Sequence, residues 1–490
     1  MKNKLPIIFF CFVFLFSCFS CSTTPTSDIV TNKADGKLEY IIENSVGTGL
    51  SINENTNYAN TFNEQTSFFS NNGVVAFNVD ATVQIADTDV WPVLIVTPKL
   101  WTPDDIEHMT RVFVGNNTVY EHTQAQSKGE IMNTILEIKK KLSDRDALLD
   151  YYGDEDLVEY VIMQLEKELT AAERDYETAP DKIERIVSDF EFHDDTYWYT
   201  EYSTLQGVEG VNTVKATTEV DGIPYFIWAT RQTNGTYRYI DYSIWAYSRF
   251  PEGSTDGYIY YQTTPFTQEE IDTALQTVIS TLEQINITDW KYVQHHEKSL
   301  TEDGVTYYYL TFDIIPIYNG IDGMLSSFGT GRYLDSNGEY ISDYYDEAIL
   351  IKYSNGRIMS YNHLSPLTIK NVVNENVSLI SYENALNKIY SQLEYTLTAG
   401  RMLIEPYNSS DYSISAATVN ITNIELCLVR TPIKDNLDDF YLLPCWIVRG
   451  SYSIDEIIGP EGKICPNIVI ESDSPILCIN GVDGSVVFSI

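Results

Sequence analysis

The chain has 490 residues, with 31 Lys and Arg against 70 Asp and Glu, a formal charge of −39. So strong a negative charge excludes a nucleic-acid binder, which needs a basic footprint. A hydrophobic content of 43% excludes global disorder, and a mean hydropathy of −0.18 excludes a polytopic membrane protein.

At the N-terminus, Lys2 and Lys4 precede an apolar run from Leu5 to Phe16. The run is too short for a comfortable spanning helix and has the proportions of a secretory signal over residues 1–17. Leu15-Phe16-Ser17-Cys18 resembles the lipobox of bacterial lipoproteins, with an aliphatic residue at −3, a small one at −1 and the cysteine to be acylated. The resemblance implies that Cys18 is the lipidation site, carrying a diacylglycerol and palmitate-type chains. Cys21 fits less well, because Cys18 would then stand at −3. An ordinary cleaved signal is the alternative. Residues 18–36 are polar and read as a flexible tether. Removing 1–17 takes away two Lys and no acid, so the mature chain is still more anionic and is repelled by anionic headgroups. Acyl chains, not a basic patch, would hold it to the membrane.

Lys37 to Val46 reads as a first strand, and 50–70 as an Asn/Thr/Ser-rich stretch with little core potential. Val75 to Ile85 alternates strictly between apolar and polar or small residues, a half-buried strand, with Trp91 to Val96 as its partner. Thr102-Pro103-Asp104-Asp105 is a helix start. Helical spacing over about 127–177 predicts two antiparallel helices broken between Ser143 and Asp156. From Tyr197 to about 263 the pattern turns to strands, with Asn234-Gly235 as a hairpin turn.

The last part of the chain reads as a duplication. Thr267-Gln268-Glu269-Glu270 is a capping box before Ile271, Ala274, Leu275, Val278 and Leu282, and Ser381 precedes a like helix with Ala385, Ile389 and Leu393. Each helix is followed by a strand containing proline (Pro316, Pro444) and a closing turn (Asn355-Gly356, Asp483-Gly484). The same number of residues separates proline from turn in both blocks. Prolines in such runs fit edges or bulges. The expected fold class is α+β, with antiparallel sheets and helices packed on one face. The expected domains are 37–260, containing the helical hairpin, then helix-plus-sheet modules at 261–370 and 371–490.

The helix Ser381 to Leu397, the strand Leu443 to Val448 and the segment Ile479 to Val487 resemble the PepSY type of extracytoplasmic module. They are also similar to membrane-anchored regulators of a bacterial cell-wall sensor kinase. The whole layout is similar to uncharacterised lipoproteins of Gram-positive anaerobes. The resemblance implies regulatory contact with another envelope protein and no catalytic residues.

Chemistry-bearing motifs are sparse. G-x-S-x-G and H-E-x-x-H are missing, and Gly459-Pro460-Glu461-Gly462-Lys463 is too short for a phosphate loop. His193-Asp194-Asp195 and His295-His296-Glu297 are the clusters with metal-ligand types, and each reads better as a solvated loop or strand end. Asp335-Ser336-Asn337-Gly338 reads as a hairpin turn in preference to a calcium loop. Tyr197-Trp198-Tyr199, Tyr258 to Tyr261 and Tyr307 to Tyr309 are candidate sugar platforms or, more simply, sheet faces. Cys427, Cys445, Cys465 and Cys478 leave open two disulfides or free buried thiols, and their spacing lacks the paired C-x-x-C of a zinc site.

These features give the expectation of a non-enzymatic lipoprotein on the extracytoplasmic face of the cell membrane, binding or regulating an envelope protein. No cofactor and no metal are expected. A carbohydrate- or solute-binding lipoprotein is the alternative, and a carboxylate-based hydrolase comes third. The oligomeric state is left open.

Overall fold

The alternation from Val75 to Ile85 forms a strand in which Val75, Phe77, Val79, Ala81 and Val83 are all buried. It belongs to one of two mostly antiparallel sheets, which with seven α-helices make an α+β fold among the described residues. The computed structural model describes residues 37–47, 61–86, 88–121, 127–181, 186–187, 189–194, 212–232, 237–247, 257–302, 304–325, 330–334, 340–398, 411–433, 436–466 and 468–489.

In chain order the first elements are α1 (Lys37–Asn44), β1 (Thr61–Phe69), β2 (Val75–Ile85), β3 (Val93–Pro98), α2 (Pro103–Val114) and β4 (Val119–Glu121). Next come α3 (Lys128–Ser143), α4 (Arg145–Tyr152), α5 (Glu155–Thr178), β5 (His193–Asp194), β6 (Asn212–Val220), β7 (Ile223–Gln232) and β8 (Tyr237–Ala246). There follow α6 (Gln268–Gln284), β9 (Trp290–Glu302), β10 (Val305–Tyr318), β11 (Ile321–Asp322), β12 (Thr330–Leu334), β13 (Tyr340–Tyr345), β14 (Ala348–Ser354), β15 (Arg357–Leu364) and β16 (Leu367–Asn374). The last are α7 (Tyr382–Thr398), β17 (Ser413–Ile433), β18 (Asn436–Gly459), β19 (Gly462–Ile464), β20 (Ile468–Asn480) and β21 (Val486–Ser489).

Sheet 1 runs β1-β2-β17-β18-β20-β21, with β3 and β16 continuing from β18 and β19 folded onto its end. Sheet 2 runs β11-β10-β14-β15-β8-β7-β6-β4, with β9 on β10, β13 and β12 beside β8, and β5 on β6. Helix α7 packs on sheet 1, the Tyr382 ring 5.3 Å from Trp446 and the Tyr390 ring 4.9 Å from Phe68. On sheet 2, Thr110 of α2 bonds the Tyr242 hydroxyl at 3.0 Å, and His108 Nε2 lies 2.9 Å from the Gln284 carbonyl at the end of α6.

The expected capping box at Thr267 forms, and the helix start at Thr102 proves to be a capping box as well. Thr102 and Asp105 close α2, and Thr267 and Glu270 close α6, each side chain satisfying the other's backbone N–H. Asn355 and Gly356 turn with φ of 51° and 78°, the left-handed pair that joins β14 to β15. Helix α6 is followed by β9-β10-β14-β15, and α7 by β17-β18-β20-β21, four antiparallel strands in the same order each time. The two prolines are not equivalent within this repeat. Pro316 lies two residues from the end of β10, whereas Pro444 lies within β18. Its flank changes partner there: β3 pairs Phe440 to Leu442, and β20 pairs from Cys445 onward. The missing proline N–H therefore falls in the gap between two ladders.

Three expectations are corrected. Residues 37–44 are a helix, not a strand, because Leu38 and Ile42 recur at a helical interval and are buried together. Residues 61–69 are the strand β1, whose polar composition suits a sheet edge, while Phe62 and Phe68 contact Tyr382 and Tyr390 of α7. The break between the two long helices is itself the helix α4, started by the Asp144 cap and stopped by Gly153 in the left-handed region. The segment 37–260 contributes to both sheets: β1, β2 and β3 join the C-terminal strands, while β4 to β8 join β10, β14 and β15. Asn234-Gly235 lies outside the described residues.

Candidate functional site

The chain crosses between the sheets at two adjacent places, from β3 into α2 and from β15 into β16. Lys99 N–H donates to the Pro366 carbonyl at 2.7 Å, holding the crossings together. The β10–β11 end adds a third link, with Met324 N–H donating to the Leu428 carbonyl of β17 at 3.2 Å. Arg449 of β18 bonds the Leu325 carbonyl at 2.8 Å while pairing with Glu425.

At this joint the fold buries a group of titratable side chains, Tyr318, Asp346, Glu347, Tyr361 and His363. Glu347, just before β14, accepts a short hydrogen bond from the Tyr318 hydroxyl at the end of β10. Its other oxygen lies 3.4 Å from His363 Nε2 on β15, and His363 Nδ1 lies 3.4 Å from the Tyr361 hydroxyl. The edges of Trp101 and Trp290 close on the imidazole, with ring centroids at 5.2 and 5.6 Å. His363 is 3% exposed and Glu347 is 9%.

Burial, then the neighbouring Glu347, pushes the Tyr318 hydroxyl well above the ordinary tyrosine range. Burial likewise raises Tyr361, and it raises the adjacent Asp346 carboxyl to about 6 against the opposing pull of the Arg430 guanidinium. Arg430 itself stacks its guanidinium 3.7 Å from the centre of the Phe440 ring. A glutamate beside a histidine has the atoms for general acid–base chemistry. Here each is occupied by the other and by tyrosine inside an aromatic shell, so the arrangement ties β10, β14 and β15 of sheet 2 together.

Cys18 lies outside the described residues, as do His122, Asp195, Tyr197-Trp198-Tyr199 and Asp335 to Gly338. The cluster His295-His296-Glu297 does not assemble a common site. His295 Nδ1 bonds the Tyr292 hydroxyl at 2.7 Å, His296 Nε2 bonds Asp313 at 2.9 Å, and Glu297 accepts from the Phe266 N–H at 2.8 Å. Among the described residues no group of three or more His, Cys, Asp or Glu is placed to hold a metal, and no helix is long and apolar enough to cross a membrane. Gly459 to Lys463 is the turn of the β18–β19 hairpin. Tyr307 and Tyr309 pair with Tyr258 and Tyr261 against the sheet 2 core, so these rings serve packing.

Exposed apolar side chains are spread over the described residues, including Val46, Phe69 and Val469, and several lie together on the helical arm. Helices α3, α4 and α5 pack chiefly on one another, with Lys139 bonded to Glu173 at 2.7 Å and Arg145 to Glu159 at 2.8 Å. The inner stripe of α5 buries Val158 and Leu165, while Leu157, Tyr160 and Met163, one turn apart, are 43%, 56% and 43% exposed. Leu136 of α3 and Tyr151 of α4 are also exposed.

The helical arm was legible from its spacing but its exposed apolar side was not, and the joint was not visible as a motif. Glu347, His363 and Tyr318 come from three strand ends, and nothing in their spacing separates them from the other acids and tyrosines of the chain. No family model matches the chain, and no curated protein matches it. Among solved structures, an uncharacterized protein from Eubacterium rectale ATCC 33656 is similar at 10% identity, over 57% of this chain and 76% of that one, with a TM-score of 0.30.

Proposed function

We propose that the chain is an extracytoplasmic lipoprotein, anchored through Cys18, that binds or regulates another envelope protein without catalysis of its own. The helical arm carries this reading. A helix that has already buried one stripe has no folding reason to align Leu157, Tyr160 and Met163 on an exposed side, and apolar surface of this kind suits a protein partner. The paired glutamate and histidine are sealed at the joint, which favours binding over hydrolysis, and the inward-packed tyrosines disfavour a sugar platform.

Photo-crosslinking from position 163 in intact cells, with solubilised membranes then resolved by mass, tests the reading. One stoichiometric protein adduct, lost in an L157S/Y160S variant, supports it. Absence of any adduct in repeated experiments overturns it. Mass spectrometry of the mature N-terminus tests the anchor separately, since an unacylated Cys18 removes it.

A further inference from the structure

Three thiols lie together in sheet 1. Cys427 on β17 stands directly opposite Cys445 on β18. Cys478 on β20 stands opposite Ile447, two residues beyond Cys445 and therefore on the same face of the sheet. Cys445 and Cys478 are both free thiols, and Cys445 is near enough to help raise the Cys478 thiol above its ordinary range. The irregularities of these ladders fall outside this stretch, at Ile421/Asn423, Pro432/Ile433 and Val448/Arg449. None of the three cysteines is more than 3% exposed, and Trp446 between them turns the other way, onto Tyr382. Cys465 is exposed and stands apart.

Geometry ranks the possible pairs. Neighbouring strands are about 4.8 Å apart and each residue rises about 3.3 Å, so Cys427 and Cys478, two strands and two residues apart, are separated by about 11–12 Å. A disulfide needs Cα atoms within about 7 Å. Cys445 is directly opposite Cys427, and it is the diagonal neighbour of Cys478 at about 7–8 Å, the outer edge of that limit.

We propose that Cys445 is the hub of a single disulfide, closed with Cys427 or with Cys478 as the three strands assemble in the presence of a disulfide oxidant, the third cysteine staying a thiol. The Cys445 thiolate attacks the oxidant's disulfide and displaces one thiolate. The partner thiolate then attacks the mixed disulfide and displaces the second. Two protons and two electrons leave the protein and end on the two thiols of the oxidant. Burial pushes the Cys427 and Cys478 thiols well above their ordinary range, so the bond closes during assembly and not on the finished sheet. The remaining thiol lies beside the bond, and any exchange of partners takes place during assembly, before burial suppresses its thiolate.

The proposal rests on the extracytoplasmic reading only for the source of oxidant in the cell, and the test removes that dependence. The full chain is refolded from the reduced, denatured state in a glutathione and glutathione-disulfide buffer, alkylated, digested and mapped without reduction. The expected map has Cys445 linked to Cys427 or Cys478, with Cys465 alkylated. C427S and C478S each retain a link through Cys445, whereas C445S has none among these positions. Alkylated Cys445 in oxidised, folded protein, or a bond joining Cys427 to Cys478 or involving Cys465, overturns the proposal. Should C445S not fold, the wild type and the other two variants still decide. Linked protein found only in cytosol would defeat the envelope reading and leave the hub standing. Unlinked protein recovered from membranes would do the reverse.

Discussion

Tyr318 donates its hydroxyl to Glu347 although the two lie on different strands, and the same carboxyl group faces His363 on a third. One side chain thus satisfies polar groups that would otherwise be stranded between the two cores. Replacing Glu347 with Leu leaves Tyr318 and His363 without that partner, at about 1–3 kcal/mol for each polar group unpaired. Tyr318→Phe removes one donor and should cost less. Urea unfolding of the three proteins should give midpoints in the order wild type, Tyr318→Phe, Glu347→Leu; equal midpoints would refute the tie.

Asp346 gives the joint a pH dependence. Its folded pKa of about 6 lies above the ordinary value of 3.8, because burial disfavours the charged form. The folded chain therefore holds this proton more tightly than the unfolded chain. The contribution is fully present below pH about 4 and is lost as pH rises through about 6, by at most about 3 kcal/mol. Asp346→Asn should flatten this part of the stability profile and raise the unfolding midpoint at neutral pH. An unchanged slope between pH 4 and 6 would show that Asp346 is not its source.

Gly450 tests the bend in the long hairpin. It sits at φ 156°, beside the register shifts of both its ladders, and a Cβ there would stand 1.9 Å from the Asn420 carbonyl oxygen. Gly450→Ala should destabilise the chain by at least about 1–3 kcal/mol, the range for a strained backbone position. A melting temperature within a degree of wild type would mean that the bulge relaxes freely.

The arm should separate binding from stability. Leu157→Ser with Tyr160→Ser alters side chains already exposed, so unfolding should move by no more than about 0.5 kcal/mol per site. Crosslinking to the partner should fall in the same variant. A large drop in stability would reassign these residues to packing.

Local signals account for what was legible in the sequence. Strand β2, the boxes at Thr102 and Thr267 and the Asn355-Gly356 turn are each written in a few adjacent residues. Helix α1 was missed because Leu38, Ile41 and Ile42 form a short apolar run with little room to declare a period. Strand β1 was missed because an edge strand shows few apolar residues. The joint was invisible for a different reason: Tyr318 of β10 meets Glu347 beside β14 and His363 on β15 only through the pairing of β10 with β14 and of β14 with β15, and those registers leave no trace in any short motif. The glutamate and histidine of the joint acquire meaning only once those pairings are in place.

The parallel match of residues 75–85 with 417–426 has a consequence for biogenesis. Material emerging early from the ribosome, and from any export channel, must wait for almost the last stretch of polypeptide before its inner flank is covered. Such distant closure is slow and leaves strand edges open meanwhile. A premature stop before residue 411 would thus strip shelter from the beginning of the protein as well as deleting its end, and a nascent chain of this design needs guarding until translation is nearly complete.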